Sequence, residues 1–334
     1  MTESRPTTTS GTEFRSRAWR KGKVVEEDFS FERISDFIAE DGCLVWVDLS
    51  KPGDRALAAL ADELSLEENV IEDAVAENER PKVHHYDKFK FVTAYGLSID
   101  PETGDLRQAR VSAFVTKKAL VTVRPDGVFD LEPLLKRWDE STAVVAHGVG
   151  GLLHGLLDLI VDSHFEAVQQ LDDAIEGIED GLFAEKSQDR QTQRRAFQFR
   201  KTLVQMRRVV LPMREVVGTL ARRDEDADPF LRPYYDDLYD HVLRVTEWTE
   251  SLRDMITSVF ETNLSLADAR LNTIMKKLTS WAAIIAVPTA VTGFYGQNIP
   301  YPGFGHNAGF LVSSAIMVVL VVFLYVTFRR KDWL

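Results

Sequence analysis

The C-terminal part of the chain is uncharged over a long distance, whereas the rest of the chain is dense in charge. Neither Asp, Glu, Lys nor Arg occurs between Lys277 and Arg329. A membrane-spanning helix takes about 20 apolar residues, so this segment is long enough for two. We predict the spans at about Leu278–Tyr295 and Phe310–Phe328. The loop between them, Gly296–Gly309, is rich in Gly and Pro, which favour turns.

Basic residues flank the two predicted spans. Lys276 and Lys277 precede the first span, and Arg329, Arg330 and Lys331 follow the second. Positive charge collects on the cytoplasmic side of membrane helices. We therefore expect a multi-pass protein of the cell membrane, whether plasma or inner membrane, with both chain ends in the cytoplasm.

The pattern between Phe29 and about Val145 predicts an α/β domain. Runs of β-branched and aromatic residues predict strands at Cys43–Leu49, Lys88–Ile99, Arg110–Val115 and Leu120–Val123. The polar residues Thr116, Lys117 and Lys118 predict a hairpin turn between the last two strands.

Two helices are predicted between the first two strands of this domain. Their apolar periodicity covers Asp54–Leu64 and Ser65–Ala76. Ser65 and Glu68 have the spacing of a capping box, which favours a helix start at Ser65.

Long helical patterns follow the glycines at residues 148–151. The first long helix has an apolar stripe at Leu157, Val161, Val168, Leu171, Ile175, Ile178 and Leu182 and acids largely off it, at Asp172, Asp173, Glu176, Glu179 and Asp180. The second, from Asp189 to about Ala221, is basic. Opposite charges on consecutive helices favour an antiparallel hairpin with complementary faces. Two independently solvated faces fit the pattern equally well.

A third helical pattern begins near Arg232 and has no internal stop signal before the membrane segment. Neither Pro nor Gly occurs between Pro233 and Pro288. A continuous helix to Tyr295 would be roughly 90 Å long. We predict a stalk that continues as the first transmembrane helix.

These patterns together predict the organisation of the chain. The predicted segments are a disordered tail (1–25), a cytoplasmic α/β domain (26–147), an acidic and basic helical hairpin (148–231), a stalk helix (232–277), the first transmembrane helix (278–297), an extracytoplasmic loop (298–309), the second transmembrane helix (310–328) and a basic C-terminus (329–334). The tail is rich in Ser, Thr and Arg and has no apolar core, so we do not expect a signal peptide there.

Composition narrows the classes of function. A net charge of −12 disfavours a nucleic-acid-binding surface, which needs a dominant basic field. The lone Cys43 excludes an intramolecular disulfide. The sequence has no Walker loop, Gly-x-Ser-x-Gly elbow or His-Glu-x-x-His motif, so we do not expect an enzyme or an ATP-driven pump.

One face of the first predicted span is small and partly polar. Its members recur every three or four residues: Asn272, Met275, Leu278, Ala282, Ala286, Thr289, Gly293 and Gly296. Two helices cannot enclose a pore, so such a face could line a channel only in a ring of identical subunits. Small residues also allow membrane helices to pack closely, and periodicity alone does not separate these interpretations.

Several short motifs resemble the CorA family of divalent metal ion channels and transporters. They are Tyr295-Gly296-Gln297-Asn298 at the end of the first span, the C-terminal Phe328-Arg329-Arg330-Lys331-Asp332-Trp333-Leu334, Arg80-Pro81-Lys82-Val83, Leu211-Pro212-Met213-Arg214-Glu215-Val216 and Tyr239-Asp240-His241. The resemblance covers most of the chain from about residue 30.

The resemblance implies a pentameric funnel with an α/β cytoplasmic domain, long helices and two transmembrane helices per subunit. The cargo would be Mg²⁺, with Co²⁺ or Ni²⁺ as further ions and no organic cofactor. Gly296, Gln297 and Asn298 would form the selectivity filter. Gly and Asn also favour helix C-caps, and the two roles are compatible.

Gln297 departs from the family signature, which has Met at this position in magnesium transporters. The zinc-transporting ZntB branch often has Ile there. The departure affects the expected ion rather than the expected fold. A proton-coupled zinc carrier is therefore an alternative, and a membrane-anchored scaffold or sensor that conducts no ions is a second.

The resemblance also implies regulatory metal sites between subunits. The matching positions are Asp73, with Glu72 beside it, and Asp237, with Asp158 as a further position. Intracellular Mg²⁺ bridging these carboxylates would stabilise a closed ring. Without the resemblance, such acids would be interpreted as solvated surface residues, as would the pair His84 and His85.

Overall fold

The computed structural model describes residues 7–8, 12–64, 66, 68–76, 79–100, 103–182, 190–223, 228–297, 300 and 305–334. These residues form two compact units, Met1–Thr257 and Ser258–Leu334. The first unit contains one β-sheet and most of the helices. The second contains the uncharged segment.

The first unit is built on an eight-stranded sheet. Its strands are β1 (Thr7–Thr8), β2 (Thr12–Arg20), β3 (Lys23–Glu27), β4 (Cys43–Ser50), β5 (Lys82–His85), β6 (Lys90–Ile99), β7 (Leu106–Val115) and β8 (Ala119–Arg124). The strand order is β1-β2-β4-β8-β7-β6-β5, and β3 pairs with β2. β4 and β8 are parallel, and the other pairings of the described strands are antiparallel.

Nine α-helices occur in the described residues. They are α1 (Ile34–Ala39), α2 (Asp54–Leu64), α3 (Glu68–Val75), α4 (Glu132–Glu140), α5 (Thr142–Val145), α6 (Val149–Leu182), α7 (Arg190–Arg223), α8 (Arg232–Tyr295) and α9 (Asn307–Arg330). The predicted helices at Asp54–Leu64 and from Arg232 to Tyr295 are confirmed with these bounds. Ser65, the predicted cap of α3, lies outside the described residues.

The four predicted strands are confirmed as β4, β6, β7 and β8. The predicted hairpin turn is also confirmed, because β7 and β8 are antiparallel neighbours with Val115 opposite Leu120. Strand β5 was not predicted, because Lys82–His85 is short and polar and lies at the edge of the sheet.

The predicted disordered tail at residues 1–25 is wrong for Thr7–Thr8, for Thr12–Arg20 and for residues 23–25, which begin β3. Strand β2 pairs along its length with β4, with Ala18 opposite Val45. Its arginines obtain acidic partners only in the folded chain, since Arg17 contacts Asp139 of α4 at 2.8 Å. Strand β3 supplies a local partner for β2, but β4 and Asp139 are distant in sequence, and a local pattern does not contain them.

Helices cover both faces of the sheet. One core contains Trp19, Trp46 and Leu120 together with Trp138 of α4 and residues of α6, α7 and α8. The Trp138 ring meets Trp46 edge-on at 5.2 Å between centroids. The second core lies on the opposite face, where alternate strand residues pack with α1, α2 and α3.

Helices α6 and α7 pack in the same core, through residues such as Leu157 and Val216. Two of the charges that were expected to be complementary have partners on α8. Arg207 of α7 pairs with Glu250 of α8. Asp172 of α6 accepts a hydrogen bond from Trp248 Nε1 of α8 at 3.2 Å. The apolar residues that α6 and α7 share in this core account for their packing among the described residues.

The second unit contains two helical segments that are long and apolar enough to cross a membrane. They are the C-terminal part of α8 and the whole of α9. Their most apolar stretches are only 11% and 6% buried, so their apolar side chains face outward. Lipid would remove that surface from water.

A buried ion pair fixes the parallel contact between β4 and β8. Asp48 is fully buried, and it accepts hydrogen bonds from Arg124 Nη2 at 2.6 Å and from the Thr122 hydroxyl at 2.6 Å. A buried charge is tolerated only when paired and hydrogen-bonded.

His164 of α6 is also fully buried, against β6. Its Nε2 donates a hydrogen bond to the carbonyl of Tyr95 at 2.7 Å. Burial lowers the pKa of His164 from 6.5 to about 4, so the ring is neutral in the folded chain at neutral pH.

We expect Asp48→Ala to destabilise the protein by about 3–5 kcal/mol, because it leaves Arg124 buried without its partner. Asp41→Ala is the matched control. It removes a fully exposed partner of Lys118, so its effect should stay within about 1 kcal/mol. Chemical denaturation of the purified full chain, followed by circular dichroism, measures both. Equal effects of the two substitutions would contradict the role of the buried pair.

Stability should also fall in mild acid because of His164. Below pH 6.5 the unfolded chain binds a proton at His164, whereas the folded chain does so only near pH 4. This contribution is fully present above about pH 6.5 and should decrease by about 3 kcal/mol as the pH falls to about 4. Unfolding free energies across this range should show the loss in the wild type and in the exposed control His85→Gln. His164→Gln keeps a donor for the Tyr95 carbonyl and should not show this loss of stability. If its unfolding free energy fell with pH as steeply as that of the wild type, the loss would not come from His164.

Candidate functional site

The predicted pore face of α8 is uncovered in the single chain. Met275 and Leu278 are 57% and 62% exposed. The other members of the face are also exposed: Asn272, Ala282, Ala286, Thr289 and Gly293. A Cβ atom added at Gly293 would meet no other atom within 4 Å. The structure therefore places these residues on one helix face, as their spacing predicts, and this face is open in the single chain.

The opposite face of the same helical segment is covered. Ser280 is fully buried and Ile284 is 7% exposed, while Val287 and Val291 are half-buried. At 3.6 residues per turn these four positions lie about half a turn away from the predicted pore face. The segment thus has one face buried within its own chain and one face left for water, ions or another copy of the chain.

Two threonine hydroxyls bond backbone carbonyls close to the proline in this segment. Pro288 has no N–H for the carbonyl of Ile284, and the threonines bond other carbonyls. The Thr289 hydroxyl donates to the Ile285 carbonyl at 3.1 Å, and the Thr292 hydroxyl donates to the Pro288 carbonyl at 2.8 Å. Because Thr289 uses its proton on the backbone, its exposed oxygen can accept a hydrogen bond from a hydrated cation.

Helical hydrogen bonding extends just beyond the last helical residue, Tyr295. The Gly296 N–H donates to the Thr292 carbonyl at 2.8 Å. Gly296 does not have a positive φ, so the expected left-handed cap does not occur at this residue. A Cβ atom there would lie 2.9 Å from the Thr292 carbonyl oxygen. Close packing rather than backbone handedness therefore favours glycine at this position.

The predicted filter has two amide residues, and the structure describes one of them. Gln297 is exposed, and its N–H is 3.4 Å from the Phe294 carbonyl. Asn298 lies outside the described residues. The candidate filter is therefore described as far as Gln297.

The first predicted regulatory acid, Asp73, already has a cationic partner. It lies near the end of α3, and its carboxylate is 2.8 Å from Lys82 Nζ on β5. Lys82 also contacts Glu79 at 3.0 Å. Burial by itself lowers the pKa of Lys82, but the hydrogen bonds that Lys82 donates to both carboxylates raise it overall. Glu72 is exposed beside this pair.

Asp158 and Asp237 lie in different surroundings. Asp158 of α6 accepts a hydrogen bond from Arg137, and burial raises its pKa despite this positive neighbour. Asp237 of α8 has a side chain that is 71% exposed, with His241 Nε2 at 3.7 Å. A cation could thus reach Asp237 without displacing a hydrogen-bonded partner.

No three His, Cys, Asp or Glu side chains in the described parts of the chain are grouped so that they could hold a metal ion. His84 and His85 are exposed on β5, as expected for surface residues.

Sequence reasoning missed the cationic partners of these acids. Lys82 lies within the motif Arg80-Pro81-Lys82-Val83, so its position gave a signal, although not its partner. No sequence signal pointed to Arg137, because it lies on α4 and is distant in sequence from Asp158. Both pairings result from tertiary packing.

Comparison with known proteins identifies the class to which this fold and this helix face belong. The family described as "CorA-like Mg2+ transporter protein" matches residues 41–330. The chain belongs to this family, as its motifs indicated.

Two relatives are cobalt/magnesium transport proteins named CorA. The protein of Thermotoga maritima is 29% identical over 79% of this chain and 76% of its own length. That of Methanocaldococcus jannaschii is 28% identical over 94% of this chain and 98% of its own length. A zinc transport protein, ZntB of Yersinia enterocolitica, is 26% identical over 89% of each chain.

The architecture matches that of a complete family member. The structure of the CorA magnesium transporter from Methanocaldococcus jannaschii covers 96% of this chain and 98% of its own, with a TM-score of 0.76 and 25% identity. The predicted fold class is therefore confirmed as an α/β unit followed by long helices and two apolar C-terminal helices.

Proposed function

We propose that this chain is one subunit of a membrane channel or transporter for divalent cations, with Mg²⁺ as its main cargo and Co²⁺ or Ni²⁺ as further ions. The observation that carries the proposal is the two-sided character of α8 in the second unit. Ser280 and Ile284 are covered within the chain, whereas the face of small, amide and hydroxyl residues is open, together with apolar neighbours such as Ile285. Family membership and the names of the relatives support the same assignment.

Transport requires several copies. Two helices per chain cannot surround a water-filled passage, so identical chains must form a closed ring around an axis. We propose five copies, in line with the family resemblance. Gly293, Ala282 and Ala286 would keep the passage wide, while Met275 and Leu278 would form an apolar constriction that closes by dewetting.

The chemistry of the passage suits a hydrated ion. Mg²⁺ prefers oxygen ligands and loses its water reluctantly. Asn272 and Thr289 offer neutral oxygen atoms along the face, and Gly296, Gln297 and Asn298 would offer carbonyl and amide oxygens at its mouth. Neutral ligands hold a cation without trapping it, and conduction requires this.

Gln297 and the ZntB relative favour a second candidate, transport of Zn²⁺ coupled to protons. The magnesium relatives are slightly more similar, with 28–29% identity against 26%. The amide at position 297 is also a harder ligand than the Met of the family signature. We therefore place Mg²⁺ first.

The proposed site lies in a lipid bilayer, with both chain ends in the cytoplasm. The uncovered apolar surface of the two helices supports the membrane location. The basic residues at Lys276–Lys277 and Arg329–Lys331 support the orientation. In this arrangement the first unit would sense the cytoplasmic Mg²⁺ concentration.

We further propose that cytoplasmic Mg²⁺ closes the ring by bridging Asp73 and Asp237 of neighbouring copies, with Glu72 and Asp158 nearby. Asp73 would have to exchange Lys82 for the metal ion. That exchange would weaken Mg²⁺ affinity, which suits a site that responds only when internal Mg²⁺ is abundant.

The proposal is tested by ion flux into liposomes that contain the purified full chain. We expect Mg²⁺ uptake without a pH gradient, and Asn298→Ala should reduce the rate at least about tenfold, because the ring of amide oxygens would be lost. Asn307→Ala is the matched control, since Asn307 begins α9 and lies outside the proposed filter.

Three other outcomes of this assay would count against the proposal. Zn²⁺ flux that needs a pH gradient, without Mg²⁺ flux, would favour the zinc carrier. A ring that passes no divalent cation would favour a scaffold or sensor. Equal loss in the Asn298 and Asn307 variants would remove the filter assignment.

Regulation is tested with Mg²⁺ inside the liposomes. Asp73→Ala and Asp237→Ala should each raise the internal Mg²⁺ concentration needed for half-inhibition by about tenfold, because each removes a charged metal ligand. Asp254→Ala is the control, since this α8 side chain is 74% exposed and resembles Asp237 in exposure. Unchanged inhibition in both test variants would eliminate the regulatory site.

A further inference from the structure

A cavity of about 630 Å³ lies between α7 and α8 of the first unit, apart from the acids discussed above. It is lined by Leu211, Arg214, Glu215, Gly218, Thr219 and Arg222 of α7 and by Tyr239 of α8. Small-molecule sites usually have volumes of about 300–1,000 Å³. The cavity is therefore large enough for a ligand bigger than a single inorganic ion.

Two arginines converge on one phenol in this cavity. Arg214 Nε donates to the Tyr239 hydroxyl at 3.3 Å, and the Arg222 guanidinium carbon lies 5.0 Å from the centre of the Tyr239 ring. A neutral phenol does not balance two guanidinium charges, so an anion placed between them would be stabilised.

Gly218 allows this arrangement. A Cβ atom at Gly218 would lie 3.1 Å from Tyr239 Cε2 and 3.2 Å from Arg222 Nη2, closer than ordinary van der Waals contact. The glycine thus lets both side chains approach α7. Thr219 adds a hydroxyl to the wall, and Leu211, which is 36% exposed, adds an apolar surface.

The sequence of α7 is strongly basic although the chain as a whole is acidic, and Glu247 of α8 is an acid that acts on Arg214. The single acid in the sequence of α7 is Glu215, which also lines the cavity. The basic residues are Arg190, Arg194, Arg195, Arg200, Lys201, Arg207, Arg208, Arg214, Arg222 and Arg223. A local field of one sign raises the local concentration of ions of the opposite sign.

We propose that the cavity between α7 and α8 binds a small phosphate-bearing anion of about mononucleotide size. Arg214 and Arg222 hold the phosphate oxygens, because the planar guanidinium group presents paired donors that match a phosphate. Thr219 donates a further hydrogen bond, and Leu211 contacts the apolar part of the ligand. The bound phosphate links α7 to α8 through Tyr239.

Binding to the purified full chain tests the proposal by isothermal titration calorimetry in magnesium-free buffer. The probes are ATP, inorganic phosphate and glycerol 3-phosphate, together with vesicles of phosphatidylglycerol, which present the phosphate as a lipid headgroup. We expect ATP to bind more tightly than inorganic phosphate. Arg214→Gln combined with Arg222→Gln should weaken ATP binding at least about tenfold, because two charge-assisted hydrogen-bonding groups are removed.

Two further double variants distinguish specific binding in the cavity from nonspecific attraction of anions to the basic helix α7. Arg214→Lys with Arg222→Lys keeps the charge but loses the paired donors, so ATP binding should still weaken by at least about fivefold. Arg200→Gln with Arg208→Gln removes the same charge from a different part of α7, and binding should change by less than about twofold.

Several results would overturn the proposal. They are no binding of ATP or phosphate at millimolar concentration, full binding by the lysine variant, or equal loss in the Arg200 and Arg208 control. Binding to vesicles alone would assign the arginines to a lipid surface instead. Thermal unfolding checks that each variant is folded, and if the glutamine variant is not, the lysine variant decides. Because the measurement is binding, it is independent of whether the chain transports ions.

Discussion

A pair of membrane helices satisfies its own backbone hydrogen bonds but cannot surround water, and the proposed function of this chain depends on that constraint. The segment of α8 in the second unit covers Ser280 and Ile284 within the chain and leaves the opposite face open. An open face with Asn272 and Thr289 is a poor surface for lipid. Placing it toward the same face of other copies keeps its polar atoms hydrated and assembles a passage from a chain that has none alone.

The acidic residues of the first unit differ in whether a cationic side chain already compensates their charge. Asp73 is bonded to Lys82, and Asp158 to Arg137, so each carboxylate is already compensated in the single chain. A divalent ion gains such a ligand only by displacing a cationic side chain. Asp237, which is mostly exposed, has no such hydrogen-bonded competitor. Affinity for a regulatory ion would therefore be set by this competition as much as by the number of carboxylates.

Part of the fold and of the candidate site follows from local sequence patterns. Runs of β-branched and aromatic residues predicted β4, β6, β7 and β8, and the absence of helix breakers predicted one helix from Arg232 to Tyr295. The three- and four-residue spacing predicted that the small and partly polar residues of α8 share one face, but not whether that face is open. These features depend on neighbours within about one or two turns or along a single strand, so periodicity contains them.

The remaining features depend on contacts between residues far apart in the chain. Strand β2 looks like a polar tail until β4 supplies its backbone partners and Asp139 pairs with Arg17. The convergence of Arg214 and Arg222 on Tyr239 likewise exists only where α7 packs on α8. The sequence by itself determined four of the strands, the long helices, the apolar spans and the family resemblance, because these depend on short local patterns. Only the tertiary structure decided which charges are already paired and which are left open, because the burial and partners of a charge are set by packing.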